Sequence, residues 1–492
     1  MSNKAQGVED SASPLTSSQR KIVVAVMIMG AFVAILNQTL INVALPKIME
    51  DLHINPSVGQ WLTTVYMLVN GVLIPITAFL MERYSTRQLF LTAMGSFAIG
   101  TLVCALAPIF EVLMIGRIIQ AIGAGIMMPL MTVVILSSFP YEKRGAAMGT
   151  VGIAMVFAPA VGPTLSGWLV QNYHWSSLFY VVLPIALISF VFGLIYMRNV
   201  TEQTFPKVNI PSVILSTIGF GGLLYGFSSA GTNGWTDPVV LGSLIVGAVV
   251  LVWFIVLQNR LDVPILRFDV FSYKMFSLTT IINIVLTMAM FSAMILVPLY
   301  LQNVRGFSPL ESGLLLLPGA ILMGIMSPIT GKIFDKVGAR WLAVVGLGIT
   351  TWTTWDFAQL DLETTYTHMI IIYSLRMFGM SMLMMPIMTA GLNALPNRLN
   401  SHGTAMANTM RQMSGAIGTA FLVTVMTNSA KAYGESHATA GMDKEAIVHL
   451  GQVSQVQGIN DAFVVATGFS LIAFVLAFFI RKDSSLDEQP NT

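Results

Sequence analysis

Apolar residues in this chain come in runs of about twenty, the length a helix needs to cross the hydrocarbon core of a bilayer. Such runs lie near 22–46, 60–81, 89–107, 110–137, 147–170, 178–197, 211–229, 238–257, 276–301, 312–333, 341–359, 367–392, 405–427 and 460–480. They predict an all-α polytopic membrane protein with fourteen transmembrane helices. The first run is too long for a signal-peptide core and lacks a small-residue cleavage site, so it is expected to stay as a helix. Residues 1–21 are polar and Ser-rich and predict a disordered cytoplasmic tail, with a second cytoplasmic tail at 483–492.

Composition agrees with a lipid-facing exterior. Of 492 residues, 55% are hydrophobic and 10% charged, against about 25% charged in a soluble domain. A net charge of +2 is too small to suggest a nucleic-acid partner. Position matters more than the total. With the N-terminus inside, fourteen spans return the C-terminus to the cytoplasm, and nineteen of the 25 Lys and Arg fall on the inner side, among them Arg83, Arg87, Lys143, Arg144, Arg267, Lys336, Arg340, Arg398 and Arg411. Lys47, Arg305, Lys431 and Lys444 fall outside, and Arg117 and Arg376 lie within spans. The lone Cys104 forms no internal disulfide or Cys-based metal site. His437 and His449 share the outer loop 428–459, where no metal site is expected. The 32 methionines suit packing and adaptable apolar surfaces.

The chain repeats itself at an offset of 253. Gly71 to Arg87 reads GVLIPITAFLMERYSTR, and Gly324 to Arg340 reads GIMSPITGKIFDKVGAR. Glu82 pairs with Asp335, Arg83 with Lys336 and Arg87 with Arg340. Two copies of one module imply two bundles in the same orientation with a site between them. The expected organisation is a six-helix bundle at 22–198, two inserted linker helices with their cytoplasmic loops at 199–274, and a second six-helix bundle at 275–482. In each repeat an acid and two bases sit on a short inner loop. The acid can accept hydrogen bonds from a neighbouring helix N-terminus or a facing Arg, and so act as an inner-gate latch.

This segment resembles motif A of the major facilitator superfamily, Gly-x-Leu-x-Asp-Arg-x-Gly-x-Arg. The second copy fits with Gly331, Asp335, Lys336, Gly338 and Arg340. The first departs at Ala78, Glu82 and Ser85. Arg117, Gln120, Gly123 and Gly125 resemble motif B. Pro159, Gly162, Pro163, Ser166 and Gly167 resemble motif C, which is associated with antiporters. Leu36 to Thr39, Asn42 to Pro46, Gln60-Trp61, Tyr66 and the stretch Pro298 to Gln302 look like the fourteen-span drug:proton antiporter branch, across nearly the whole chain. The resemblance implies a major-facilitator fold, a bacterial cell-membrane location, small-molecule substrates, proton coupling and no cofactor.

One departure from that branch concerns the proton. Many relatives carry an acid in the first helix where this chain has Asn37 or Gln38, and no Asp or Glu falls at mid-depth in any predicted span. The proton-coupling candidates are Asp356, with Trp352 and Trp355 beside it, then Glu311 and Asp461. Arg117 and Arg376 supply fixed charge instead, since Arg keeps its proton. A charge in a span costs on the order of 2.5–3.5 kcal/mol by the mildest scale and should face a polar interior. The expected substrate cavity is walled by Asn37, Gln38, Asn42, Gln60, Trp61, Tyr66, Arg117, Asn283, Arg376, Asn408 and Gln412, and would favour anionic, zwitterionic or neutral amphipathic substrates over dications.

No phosphate-binding loop of the ATPase type is present, and no catalytic constellation, so an enzyme is not expected. The reading is a proton-coupled secondary exporter of drugs or amphipathic molecules that works by alternating access as a monomer. A dedicated exporter of one metabolite, nucleotide, lipid or peptide is the alternative. A polytopic sensor fits less well because the loops are too short for a signalling domain.

Overall fold

The computed structural model describes residues 16–201, 203–205, 208–438 and 443–481. Fourteen helices of membrane-spanning length follow one another among the described residues. They are α1 (Ser17–Asp51), α2 (Trp61–Arg83), α3 (Thr86–Ala105), α4 (Phe110–Ser138), α5 (Arg144–Asn172), α6 (Ser177–Tyr196) and α7 (Ile210–Asn233). Then come α8 (Pro238–Gln258), α9 (Lys274–Leu299), α10 (Pro309–Val337), α11 (Ala339–Phe357), α12 (Tyr366–Ser381, resuming as Met384–Asn393), α13 (Asn400–His437) and α14 (Lys444–Ala477). Twelve of these stretches are also apolar enough to cross a membrane by composition alone. The helices α11 and α13 are more polar, and α13 is shielded by α2, α7, α9 and α14.

Three expectations change at helix ends. Helix α1 starts at Ser17, because Thr16 and Gln19 exchange capping hydrogen bonds across its first turn. Residues 17–21 are therefore helical rather than part of a tail, while 1–15 and the 483–492 tail lie outside the described residues. The outer loop 428–459 is mostly helix: α13 runs to His437, and α14 begins at Lys444 under an Asp443 cap. The twelfth span is broken at Met382 and Leu383. Pro386 explains the break, since it has no N–H for the Met382 carbonyl and its ring crowds that turn.

Helices α1–α6 pack among themselves, and α9–α14 do the same. Two seams join the sets, α5 against α10 and α2 against α13. Small residues bring backbones together at both intra-set and inter-set contacts. Between α3 and α4, a Cβ on Gly116 would sit 2.9 Å from the Cys104 backbone nitrogen, and one on Gly123 would overlap the Ala93 carbonyl. Between α5 and α10, a Cβ on Gly149 would lie 2.5 Å from the Ser327 carbonyl oxygen. The inserted helices α7 and α8 pair with each other, and α7 covers the α2–α13 seam. Trp61 stacks on Tyr225 there with ring centroids 5.8 Å apart, and Trp235 Nε1–H donates to Thr424 Oγ1 at 2.8 Å.

Candidate functional site

The two copies of the repeated segment end at one face of the molecule, and that face is shut. Asp335, in the last turn of α10, accepts from the Gly145 and Ala146 N–H groups at 2.7 and 2.8 Å. These are orphan donors of the first turn of α5, where the helix dipole also favours a carboxylate. Gly145 and Gly331 let the backbones meet: a Cβ on Gly145 would be 2.7 Å from the Gly331 carbonyl oxygen. Arg144 extends the closure, donating to Asn393 Oδ1 at 3.1 Å and Asn397 Oδ1 at 3.4 Å. On the other seam Glu82 lies 2.8 Å from His402 Nε2, and His402 Nδ1 accepts from the Arg267 N–H at 3.4 Å. That second bond fixes the tautomer, so Nε2 carries a hydrogen toward the carboxylate. The two repeat acids thus both bridge the helix sets with different partners, a helix terminus for Asp335 and a buried histidine for Glu82.

The turns of the two copies are built differently. Gly338 has φ 85°, the left-handed region where glycine is favoured. Its counterpart Ser85 has φ −67° and acts instead as the N-cap of α3, in a capping box with Gln88. The serine therefore closes its turn without the glycine conformation. Arg87 donates to the Leu194 carbonyl at 2.7 Å, which ties α3 to α6. The Arg340 guanidinium lies 5.7 Å from the Trp341 ring centre, and Lys336 is exposed.

The motif C segment packs α5 against α1. Ser166 Oγ donates to the Leu40 carbonyl at 2.7 Å, and a Cβ on Gly162 would collide with Thr39. Gly167 meets no neighbour within 4 Å. Pro159 and Pro163 both lie inside α5.

The two intramembrane arginines are enclosed. Arg117 is 0% exposed; its Nε donates to the Leu62 carbonyl at 3.1 Å, Nη1 donates to Gln120 Oε1 at 3.0 Å, and its Cζ sits 4.1 Å from the Tyr66 ring centre. Gln120 continues the network to Asn37 and Thr101. Arg376 is likewise 0% exposed, donating from Nη2 to the Ala289 carbonyl at 2.8 Å and from Nε to Thr354 Oγ1 at 3.3 Å. Neither lines a cavity wall with Asn283. Asn37 and Tyr66 are buried within the Arg117 network, Gln60 and Asn42 are exposed, Gln38 is half-buried, and Trp61 faces α7.

A small mid-depth cavity of about 20 Å³ lies elsewhere, within the second helix set between α9, α12 and α13. Asn283 and Asn408 line it as expected. Five methionines do too: Met290, Met380, Met384, Met385 and Met388. So does Arg411, which the charge pattern assigns to the inner side. Arg411 stands eleven residues into α13, roughly 17 Å of helix rise. It is a functional candidate that span-end reasoning hides, because α13 starts five residues before the apolar run does. Gln412, its neighbour, faces Gly71 of α2 across the seam.

Comparison with known proteins agrees with this geometry. Residues 27–419 match the Major Facilitator Superfamily. The chain belongs to the major facilitator superfamily. It is 49% identical to the uncharacterized MFS-type transporter YhcA of Bacillus subtilis, over 93% of this chain and 92% of that one. It is 42% identical to the lincomycin resistance protein LmrB of the same organism, over 95% and 97% of the two chains. The fold resembles that of the human organic anion transporter MFSD10, with a TM-score of 0.66 and 14% identity over 93% of this chain and 99% of the other. The expected superfamily, exporter branch and all-α fold stand, as does the placement as a multi-pass protein of the bacterial cell membrane. Membership in this superfamily makes the chain a transporter rather than an enzyme.

As a major facilitator protein it lacks a carboxylate in the mid-depth cavity among the described residues. Asp356 is at the opposite face from the latch, 2.7 Å from His368 Nε2, on a rim shared with Asp361 and Glu363. Its tryptophans do not enclose it: Trp352 and Trp355 are 56% and 50% exposed on the outer surface of α11. Glu311 closes a capping box with Ser308 at the start of α10. Asp461 accepts from Gln457 one turn away on α14.

Proposed function

We propose that this transporter is a secondary exporter of drugs or other amphipathic small molecules, driven by proton entry and acting as a monomer. Helices α1–α6 and α9–α14 rock against each other, with α7 and α8 riding over the α2–α13 seam and both termini in the cytoplasm. The observation that carries the reading is the closed motif A face, where Asp335 of one helix set accepts from the first turn of α5 in the other. The relative named for lincomycin resistance supports export. Because Asp, Glu and His are absent from the cavity wall among the described residues, coupling rests on the groups whose surroundings change when the latch opens: Asp335, Glu82 and His402, with Arg267 and Arg398 nearby.

The deciding experiment uses purified protein in sealed vesicles with an imposed pH gradient. Uptake of ethidium and of a neutral dansyl amide is followed by fluorescence. Gradient-driven accumulation that collapses with a protonophore is the expected result, and no gradient-dependent movement of either probe would reject export. In the same assay Asp356→Asn is expected to leave the rate and its pH profile within about twofold, since a rim carboxylate beside water and His368 contributes little. A loss of proton drive in that variant would return Asp356 to the mechanism.

A further inference from the structure

We propose that α7 is a strap that ties the outer ends of α2 and α13 and keeps that seam closed to lipid while the helix sets rock. The inference rests on the alternating-access reading and adds what the inserted helices do in it.

Three observations lead to it. First, the tie lies at the far end of a seam that Glu82 and His402 already hold at its inner end. Trp61 stands 21 residues from Glu82 along α2, and Thr424 stands 22 residues from His402 along α13, roughly 32–33 Å of helix rise in each case. Second, α7 and its turn reach both helices there through directional contacts. Tyr225 stacks on Trp61 with an interplanar angle of 19°. Trp235, in the turn that joins α7 to α8, donates from Nε1 to Thr424 Oγ1. The Thr424 hydroxyl itself donates to the Ala420 carbonyl at 2.7 Å, which leaves a lone pair for the indole. Ala230, Val240 and Ala420 bury a small apolar contact beside this bond. The turn is fixed as well: Gly234 has φ 87°, and Asp237 caps α8 through the Val239 and Val240 N–H groups.

Third, α7 fills the seam. Leu224 is buried in the space that a Cβ on Gly71 of α2 would need, and that Cβ would lie 3.5 Å from Gln412 of α13. Lipid meets α8 instead, whose Ile245, Val249 and Trp253 are exposed. At the outer end the two links act in series. Trp61–Tyr225 joins α7 to the first helix set, and Trp235–Thr424 joins its turn to the second. Parting the outer ends of α2 and α13 strains both links, and loss of either one removes the restraint there.

The test measures distances between spin labels in purified protein in lipid nanodiscs. One pair sits at Gln60 and Asn428, both exposed at the outer ends of α2 and α13. A second pair, at Lys143 and Lys336, reports the inner face; the native Cys104 is buried and stays unlabelled. Wild type is expected to give one narrow outer distance. Trp61→Leu and Trp235→Phe should each add a longer population and raise the ratio of long to short about 2- to 10-fold, the range for one aromatic pair or one hydrogen bond. Trp61→Phe keeps a ring and should stay near wild type. Because the links are in series, the double variant Trp61→Leu with Trp235→Phe should show no more than the larger single effect. The inner pair should stay short throughout, which reports an intact fold. Wild-type outer distances in both single variants, a double effect equal to the product of the singles, or lengthening of the inner pair would each overturn the proposal. These distances are read without gradient or substrate. They are therefore separate from the exporter reading, which stands or falls on gradient-driven movement of ethidium and the neutral amide in wild-type vesicles.

Discussion

Replacing Asp335 with alanine is expected to open the latched face and impair export while leaving the fold intact. The carboxylate accepts from two N–H groups at the start of α5, at 2.7 and 2.8 Å. These bonds cross between the helix sets, so removing them penalises the closed arrangement more than the opened one, in which water reaches both donors. Hydrogen bonds to a charged group contribute about 1.5–3 kcal/mol each, and water recovers part of the loss. A net shift of about 2–3 kcal/mol would change the ratio of closed to open forms roughly 30- to 150-fold. Spin labels at Lys143 and Lys336, both exposed on the latched face, report the separation of α5 and α10. Wild type should give mainly a short distance, and Asp335→Ala should add a longer population. Asp335→Asn, which keeps one acceptor, should fall between them. Identical distance distributions in all three would show that the carboxylate does not hold this face shut. Because Glu82–His402 and the Arg144 contacts act on the same equilibrium, Asp335→Ala combined with Glu82→Gln should exceed either change alone.

Much of this latch was legible in the sequence, and the reasons for the gaps are specific. The 253-residue offset put Glu82 and Asp335 in matching places, and charge logic named a helix N-terminus as a partner. For Asp335 that partner is α5. For Glu82 it is His402, which sequence pattern does not connect to it because 320 positions separate them and only packing brings α2 to α13. Arg144 and Arg411 were both absorbed into the inner-side charge pattern. That pattern describes loops well, but it misplaces a charge whenever a helix begins outside its apolar run, as α13 does at Asn400. The same limit explains the outer loop 428–459. Helices do not stop where hydrophobicity stops, and α13 and α14 continue as a pair beyond it. The break at Met382 and Leu383 was hidden for another reason. Pro75, Pro129 and Pro328 sit inside unbroken helices, so Pro386 gave no warning that it would interrupt one. Arg117 and Arg376 were rightly identified as charges within spans. Their contacts with the Leu62 and Ala289 carbonyls depend on which main-chain groups packing leaves within reach, and Arg117 Nη2 and Arg376 Nη1 stay buried without a hydrogen-bond partner.

Two glycines of the sequence motifs should respond to substitution in opposite ways. Gly331 of motif A faces main chain: a Cβ there would overlap the Gly145 carbonyl oxygen, lie 2.9 Å from the Gly145 carbonyl carbon and 3.2 Å from the Ala146 Cα. No flexible side chain can yield, so α5 and α10 must part, and Asp335 then loses reach to both N–H groups. Gly331→Val is expected to abolish gradient-driven export and to give only the long distance in the Lys143–Lys336 label pair. Gly331→Ala should show a milder form of the same defect. Gly167 of motif C meets nothing within 4 Å. Gly167→Ala should therefore leave export unchanged and raise stability by roughly 0.5–1 kcal/mol, the helix preference of alanine over glycine. The contrast separates two explanations of a motif glycine. If both substitutions impaired transport equally, the need would be for backbone flexibility within the helix, which both positions share. If only Gly331 were sensitive, the need would be for close approach across the α5–α10 seam, and closure of that face would be set by the thickness of a single hydrogen atom at this position.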